Sequence, residues 1–156
     1  MILIIAEKPS LARNICAGIG EMKRQNGFFI GDGYIVTWAF GHLFSLCDIE
    51  TYNPSPDGSE RWTLENLPCF PKKFQFELRR EKDKTVDPGL KHQFSVIEQL
   101  CNREDVDTIV NAGDADREGE IIVRLCVEHA LKSPKVQSGF GSPTRRPRRC
   151  ELRFLR

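Results

Sequence analysis

The run VDTIVNAGDAD, residues 106–116, joins an apolar stretch to a sharply polar end. The apolar part is typical of a buried strand, and the polar end predicts a turn where that strand stops. Residues 118–131, EGEIIVRLCVEHAL, continue with apolar side chains at helical spacing. The chain starts in the same order, because the apolar run ILIIA, residues 2–6, precedes a helical pattern that opens at Pro9 or Ser10. Strand–helix units at both ends predict an α/β fold with a parallel sheet.

The middle of the chain predicts further elements. Residues 28–43 contain two β-rich runs joined by Gly-Asp-Gly, which is the pattern of a hairpin. Residues 48–71 are rich in Pro, Asp, Asn and Ser, so we expect a long irregular connection there. FQFEL, residues 74–78, alternates as a strand does, and residues 87–101 have the spacing of a helix.

Length and composition are those of one ordinary globular domain. The chain has 156 residues, of which 40% are hydrophobic and 29% charged; this excludes a disordered or collagen-like chain. No apolar run approaches the roughly 20 residues of a membrane-spanning helix. The first residues are too short an apolar run, and too soon charged, for a secretory signal. We therefore expect a cytoplasmic protein.

Charge is distributed unevenly along the chain. Residues 1–131 carry 15 Lys and Arg against 21 Asp and Glu, whereas residues 132–156 carry 8 basic residues and one acidic residue. Because the body of the chain is acidic, any binding of nucleic acid must use local patches or metal ions. The six cysteines include no Cys-x-x-Cys pair, so we expect free thiols rather than a zinc site.

An acidic cluster directly after the second apolar run is the sharpest feature of the sequence. Asp114, Asp116 and Glu118 alternate within five residues, and carboxylates so close together repel one another unless a cation such as Mg²⁺ neutralises them. Acidic residues at a helix start also complement the helix dipole. That second explanation suits Glu118 and Glu120 but not Asp114 and Asp116, so we favour a metal site.

A further carboxylate and a lysine follow the first strand. If the two apolar runs are parallel neighbours, Glu7 lies at the same sheet edge as Asp114. Glu7 is equally well explained as a helix-capping acid. Lys8 is either a solvated surface lysine or a point charge placed against a metal-bound phosphate.

Four segments in this order carry a family resemblance: IIAEKPSLA (4–12), Gly-His (41–42) after VTWAF, RWTLENLP (61–68) and NAGDADREGE (111–120). Together they resemble the N-terminal Toprim domain of type IA DNA topoisomerases, and most of all the bacterial topoisomerase III branch. Primases and some nucleases also contain Toprim domains, but EKPSLA so near the start is similar to topoisomerases in particular. The resemblance covers residues 1 to about 135 and implies a Rossmann-like α/β domain with a mainly parallel sheet flanked by helices.

The resemblance implies a role for each matching residue. Glu7 would be the catalytic acid and base near the scissile phosphate, and Lys8 would contact that phosphate. Asp114, Asp116 and Glu118 would hold Mg²⁺, with Glu7 sharing the metal. Phosphoryl transfer depends on charge neutralisation and positioning, which agrees with such a set.

Four residues are candidate contacts to DNA. Trp62, beside Arg61, lies in a polar irregular segment, where stacking on an unpaired base is favoured over a purely structural role. Arg117 either reaches a phosphate or relieves repulsion among the neighbouring carboxylates. His42 either supports the active site or a phosphate, or is a structural histidine. The expected partner is DNA with single-stranded segments.

The implied activity is ATP-independent breakage, passage and rejoining of one DNA strand, which in this family uses a nucleophilic tyrosine from another domain. The chain has only Tyr34 and Tyr52, and neither matches that nucleophile. We therefore expect an inactive part of a topoisomerase unless the missing domains are supplied separately. The alternatives are a standalone Toprim nuclease or primase-like protein and a noncatalytic DNA-binding module.

Residues 136–156 depart from the expected pattern, because VQSGFGSPT lacks a strand pattern and an Arg-rich run follows. Codons for VQSGFGSP exist that, read two bases later, encode Pro-Val-Arg-Phe-Trp-Val-Ser, an apolar strand. We therefore expect a Toprim domain over residues 1–135 and an aberrant, frameshifted and disordered basic tail over 136–156, which would leave the sheet one strand short. A genuine basic arm that binds DNA nonspecifically is the alternative.

Overall fold

Strand–helix units occur at both ends of the chain, as the sequence predicts. The computed structural model describes residues 1–54, 64, 67–81, 83–114 and 116–139. The elements are, in chain order, β1 (Ile2–Ala6), α1 (Pro9–Ile19), β2 (Lys23–Arg24), β3 (Phe28–Gly31), β4 (Tyr34–Trp38), β5 (Phe44–Leu46), a 3-10 helix (Ile49–Thr51), β6 (Phe76–Leu78), α2 (Pro88–Cys101), β7 (Thr108–Ala112), α3 (Arg117–Ala130) and β8 (Val136–Gly139).

The two apolar runs of the sequence are neighbouring strands of the main sheet. Within the described residues this sheet has six strands in the order β2-β3-β4-β1-β7-β8. β1 pairs in parallel with β7, with Ala6 opposite Ala112, and in parallel with β4, with Ala6 opposite Trp38. β2, β3 and β4 form antiparallel pairs. The predicted α/β fold with a mainly parallel sheet flanked by helices is confirmed.

Helices cover both faces of the sheet. Alternate residues of β1 point to opposite faces, as the strand geometry requires. Ile4 and Ala6 pack with α1 residues in one apolar cluster, whereas Leu3 and Ile5 pack with α2 and α3 in the larger cluster. Burial on both faces explains why this strand reads as a continuous apolar run.

The hairpin predicted from Gly-Asp-Gly is confirmed between β3 and β4. Asp32 and Gly33 form the two-residue turn with φ values of 47° and 80°. Positive φ at both positions matches the turn that best suits the twist of a β-hairpin, and glycine and aspartate tolerate it.

A buried glutamine connects α2 to the end of β4. Gln93 Nε2 donates hydrogen bonds to the Trp38 carbonyl at 2.7 Å, to Thr37 Oγ1 at 3.1 Å and to the Gly27 carbonyl at 3.1 Å. Thr37 in turn donates to the same Gly27 carbonyl at 2.8 Å. A buried polar group needs such partners, so this network ties α2 to the carboxyl end of β4.

A second, two-stranded ribbon lies apart from the main sheet. It pairs β5 with β6 in antiparallel fashion, with Phe44 opposite Leu78. The strand predicted over residues 74–78 is therefore present, but shorter, at Phe76–Leu78. None of the helices in the described part of the chain combines the length and apolar character that crossing a bilayer requires.

The expectation that the sheet lacks a strand after residue 135 is wrong. β8 pairs in parallel with β7, with Thr108 opposite Val136 and Asn111 opposite Gly139. Strand pairing uses backbone groups, so a free edge of β7 can be paired by a segment without an alternating side-chain pattern. Residues 140–156, the rest of the predicted disordered tail, lie outside the described residues.

The cysteines are free thiols as predicted, as far as the structure describes them: Cys16, Cys47, Cys69, Cys101 and Cys126. Burial raises the pKa of Cys101, on α2, and of Cys126, on α3, to about 12. These two side chains behave as small apolar residues in the core between the helices.

Candidate metal and phosphate site at the sheet edge

The carboxyl ends of β1 and β7 bring two acidic residues together. Since Ala6 lies opposite Ala112, Glu7 and the residues after Ala112 leave the sheet at the same edge. The Asp114 backbone N–H donates a hydrogen bond to Glu7 Oε2 at 3.4 Å. Two residues 107 positions apart in sequence thus meet at the edge where open α/β sheets bind ligands.

Lys8 completes this edge with a positive charge. Its Nζ donates to Asp114 Oδ2 at 2.9 Å, and the side chains are 49% and 42% exposed. The hydrogen bond to Asp114, and then the negative charges of Asp114 and Glu7, raise the pKa of Lys8 above its ordinary value. Lys8 is therefore fully protonated at neutral pH. Because the pair is half-exposed, it contributes little to stability and leaves its charges accessible.

The turn from β7 into α3 holds Asp114 in place by close packing of backbone on backbone. An alanine Cβ at Gly119 would lie 2.5 Å from both the backbone N and the carbonyl O of Asp114. A Cβ at Gly113 would meet the Gly119 carbonyl. The Asn111 side chain braces the turn, since its Oδ1 accepts from the Gly113 N–H and its Nδ2 donates to the Glu120 carbonyl, both at 3.0 Å.

Asp116 caps the helix that follows. Its Oδ1 accepts a hydrogen bond from the Gly119 N–H at 2.6 Å, and it is the N-cap residue of α3. The expectation from the sequence that Asp116 has no role at the helix start is wrong. α3 begins at Arg117, one residue before the predicted start, so Asp116 is its N-cap. Glu118 and Glu120 lie in the first turn, where they complement the helix dipole.

The donor set of the edge suits magnesium. Mg²⁺ takes oxygen ligands and is usually held by one or two carboxylates together with water and phosphate oxygens. Glu7 and Asp114 offer two carboxylates on adjacent strand ends. Asp116 and Glu118 follow Asp114 at the start of α3; no group of three or more metal-ligating side chains was found among the residues that the structure describes. Glu7 and Asp114 therefore suit two of the carboxylate ligands of a magnesium ion, and the roles of Asp116 and Glu118 as further ligands stay predictions.

The Gly-His turn is attached to the same edge. The Gly41 N–H donates to the Glu7 carbonyl at 3.1 Å, and Gly41 has a φ of 70°, a conformation that favours glycine. His42 follows directly and is exposed. The backbone of Glu7 is thus held by the turn that carries His42.

Comparison with known proteins shows the family of the chain. A family model described as the Toprim domain matches residues 2–142. The chain belongs to the Toprim family. The match extends past residue 135, where the sequence predicts the domain to end.

Curated relatives of this Toprim chain are named DNA topoisomerase 3. The relative from Shouchella clausii is 39% identical over 142 residues, which are 90% of this chain and 18% of that protein. The relative from Staphylococcus epidermidis is 38% identical over 145 residues, covering 92% of this chain and 19% of that protein. The relative from Bacillus cereus ATCC 14579 is 37% identical over 143 residues, covering 91% and 18%. The chain thus spans less than a fifth of the length of these relatives.

The remaining predicted contacts of the Toprim chain lie beyond what the structure describes. Arg61 and Trp62 are outside the described residues, and Arg117 is described only as the first backbone position of α3. No geometry therefore accompanies these three candidates for DNA binding.

The two tyrosines have structural positions. Tyr34 begins β4, whose other end, Trp38, lies opposite Ala6; at about 3.3 Å per residue, the strand separates Tyr34 from the site edge by roughly 13 Å. The Tyr52 hydroxyl accepts from the Gln75 N–H at 2.7 Å and donates to the Gln75 carbonyl at 3.1 Å. Tyr34 is therefore remote from Glu7, and the Tyr52 hydroxyl is hydrogen-bonded to the backbone of Gln75.

Two features of the site escape the reasoning from sequence. Gly119 interrupts a helical pattern, and an isolated glycine within a helix often indicates close packing. The sequence does not show that the residue packed against Gly119 is Asp114. Phe40 looks like the end of an apolar strand, yet the residue is 44% exposed at the site edge. Nothing in the spacing around Phe40 distinguishes it from a core residue.

Proposed function

We propose that this chain is the Mg²⁺-binding Toprim part of a type IA DNA topoisomerase and binds a phosphodiester of single-stranded DNA at the edge formed by Glu7, Lys8 and Asp114. The observation that carries the proposal is the 2.9 Å contact of Lys8 Nζ with Asp114 Oδ2 beside Glu7. One cation and two carboxylates at this edge match the needs of phosphoryl transfer. Relatives named DNA topoisomerase 3 support the choice of substrate.

In this proposal Lys8 binds the phosphate. Its ammonium group exchanges Asp114 for a phosphate oxygen, and the exchange costs little because the pair is half-exposed. A lysine ammonium group is charged throughout the neutral range. Lys8 thereby stabilises the negative charge that develops on the reacting phosphate.

Glu7 has two tasks in the same proposal. Its carboxylate gives or takes the proton at the 3′ oxygen, as the family resemblance implies, and together with Asp114 it holds the metal. Bound there, Mg²⁺ would supply neutralisation of the phosphate charge and orientation of the phosphate oxygens. Glu7 Oε2 lies 3.4 Å from the Asp114 backbone N, so this carboxylate is beside the turn that carries Asp114.

In this proposal the nucleophile comes from outside this site. Breakage of one strand through a tyrosine needs a phenolic oxygen in line with the phosphate, and both Tyr34 and Tyr52 have other positions. We propose that the tyrosine belongs to a further topoisomerase domain. The chain by itself would then bind DNA without cutting it.

DNA binding by the purified chain tests the proposal. Fluorescence anisotropy with a labelled single-stranded oligonucleotide would compare wild type, Lys8→Ala and Lys132→Ala, with and without Mg²⁺. Lys132 is the matched control, because it is also ion-paired, to Glu98 at 3.2 Å, but follows the far end of α3. We expect Lys8→Ala to weaken binding about tenfold and Lys132→Ala to bind as wild type does.

Three results would contradict the proposal. Equal binding by wild type and Lys8→Ala would remove the phosphate site from this edge. Mg²⁺-dependent nicking of plasmid DNA, abolished by Asp114→Asn, would favour the standalone nuclease. DNA binding that is unaffected by Mg²⁺ and by replacement of both Asp114 and Asp116 by alanine, without cleavage, would favour a noncatalytic module.

We also propose that the basic tail after residue 135 comes from a shifted reading frame. Its support is that codons exist for VQSGFGSP which, read two bases later, would encode an apolar strand, together with the arginines that follow residue 144. The pairing of β8 with β7 and the family match as far as residue 142 favour a genuine continuation over residues 136–142 instead. Sequencing the gene from codon 130 onward tests this: a second frame opening with Pro-Val-Arg-Phe-Trp-Val is expected, and its absence would make the basic tail genuine.

A further inference from the structure

Phe40 is an exposed aromatic residue fixed to the site edge. The residues on both sides of it are hydrogen-bonded to the end of β1: the Ala39 N–H donates to the Ala6 carbonyl at 2.8 Å, and the Gly41 N–H donates to the Glu7 carbonyl at 3.1 Å. Phe40 is nonetheless 44% exposed as a residue. The backbone on both sides of Phe40 is therefore fixed to the end of β1, while Phe40 itself remains accessible.

Unlike the aromatic residues near it in sequence, Phe40 does not pack into the core. Trp38 is buried and contacts Phe29 with ring centroids 5.5 Å apart. Phe44 is buried and contacts Phe94 at 5.1 Å. Phe40 belongs to neither of the apolar clusters found among the described residues. The ring is thus available for a contact outside the core.

We propose that Phe40 is the stacking platform for an unpaired nucleobase of the DNA strand whose phosphate is bound at Lys8. This inference rests on the proposed function and names a base contact for the same site. Proteins that bind single-stranded nucleic acid combine positive charge along the backbone with aromatic rings on which bases stack. At this sheet edge Lys8 provides the positive charge and Phe40 provides the aromatic ring. Glu7 lies next to Lys8 in the chain, and its carbonyl accepts the hydrogen bond from Gly41, the residue after Phe40.

Preorganisation makes this ring effective. A phenylalanine has few rotamers to lose, and the backbone around Phe40 is already fixed on both sides, so stacking orders little that was free before. A base within a duplex is paired and stacked on its neighbours, so the ring selects single-stranded segments. The contact is tolerant of sequence, because every base has a π-face.

A double-mutant cycle between the protein and the DNA tests the stacking. The full chain would be titrated with a single-stranded oligonucleotide and with a series of oligonucleotides that each carry one abasic site. We expect Phe40→Ala to weaken binding of the intact strand about tenfold, Phe40→Trp to restore it, and one abasic position to remove the difference between wild type and Phe40→Ala. A merely structural role for Phe40 would not depend on the position of the abasic site.

Phe74→Ala is the matched control. Phe74 is 60% exposed but precedes the ribbon strand β6, away from the end of β1, so its removal should leave DNA binding unchanged. Thermal unfolding of each variant checks that the fold is retained, as the exposure of both rings predicts.

The outcomes separate this inference from the proposed function. If binding depends on Lys8 but Phe40→Ala binds as tightly as wild type, stacking is refuted and the phosphate site stands. A ring that contacts another protein domain rather than a base would give this result. If Phe40→Ala weakens every abasic strand as much as the intact one, stacking is refuted as well. If the wild-type chain has no saturable DNA binding, or binding that is independent of Lys8, both proposals fail.

Discussion

Replacing Gly119 by alanine would place a methyl group inside the turn that holds Asp114. The added Cβ would lie 2.5 Å from two backbone atoms of Asp114 and 2.9 Å from its Cα, whereas real Cβ atoms essentially never approach closer than 3.0 Å. Backbone must therefore shift by at least about 0.5 Å. Such overpacking costs about 1–3 kcal/mol, and the better helix propensity of alanine offsets up to about 1 kcal/mol of that.

The shift also affects the site. The bond from the Asp114 N–H to Glu7 Oε2 is already 3.4 Å long, so moving Asp114 away from α3 changes its distance to Glu7 and to Lys8. We therefore expect Gly119→Ala to lower the free energy of unfolding by about 1–2 kcal/mol and to weaken Mg²⁺-dependent DNA binding.

Urea denaturation followed by circular dichroism measures the change in the free energy of unfolding. Gly18→Ala is the matched control, because Gly18 also lies in a helix, α1, and a Cβ there has no neighbour within 4 Å. That variant should be stabilised by about 0.5–1 kcal/mol. A Gly119→Ala chain as stable as wild type, with unchanged binding of DNA, would refute the close packing of α3 on Asp114.

Three further predictions concern the rest of the fold. The hydrogen bond from Arg103 lowers the pKa of Asp105 to about 2, so the pair stabilises the fold above the ordinary carboxyl pKa and loses this effect as the pH falls towards 2. In Arg103→Gln, NMR titration should find the Asp105 pKa back near its ordinary value, and an unchanged pKa would contradict the contact. Cys101 and Cys126 should resist a thiol reagent in the native chain and react on unfolding, and rapid native labelling would disprove their burial. Gln93→Leu should destabilise the chain by about 1–3 kcal/mol, as measured by urea denaturation, because it leaves buried acceptors unpaired; unaltered stability would show that water replaces the amide.

The parallel strands and the site edge could be predicted because they depend on local patterns. The apolar runs at residues 2–6 and 108–112 need burial on both faces, and only a central parallel strand supplies it. Once these strands are neighbours, Glu7 and Asp114 must meet at the carboxyl edge. The Gly-Asp-Gly hairpin could be predicted for a similar reason, since Asp32 and Gly33 accept positive φ.

The parts that escaped prediction depend on distant partners or on backbone. Pairing of β5 with β6 joins segments about 30 residues apart, and neither strand's pattern names its partner. β8 forms without an apolar pattern because β7 offers free backbone groups. The role of Asp116 turns on a helix boundary that differs by one residue from the predicted one.

Amide NMR of the chain with substoichiometric Mn²⁺ tests the metal site at the sheet edge most directly. Mn²⁺ takes the same oxygen ligands as Mg²⁺ and broadens the signals of nearby amides. Broadening centred on Glu7 and Asp114, reversed by excess Mg²⁺ and lost in Asp114→Asn, is the result we expect. Broadening centred on other acidic residues, or broadening that does not saturate, would contradict a magnesium site at the ends of β1 and β7.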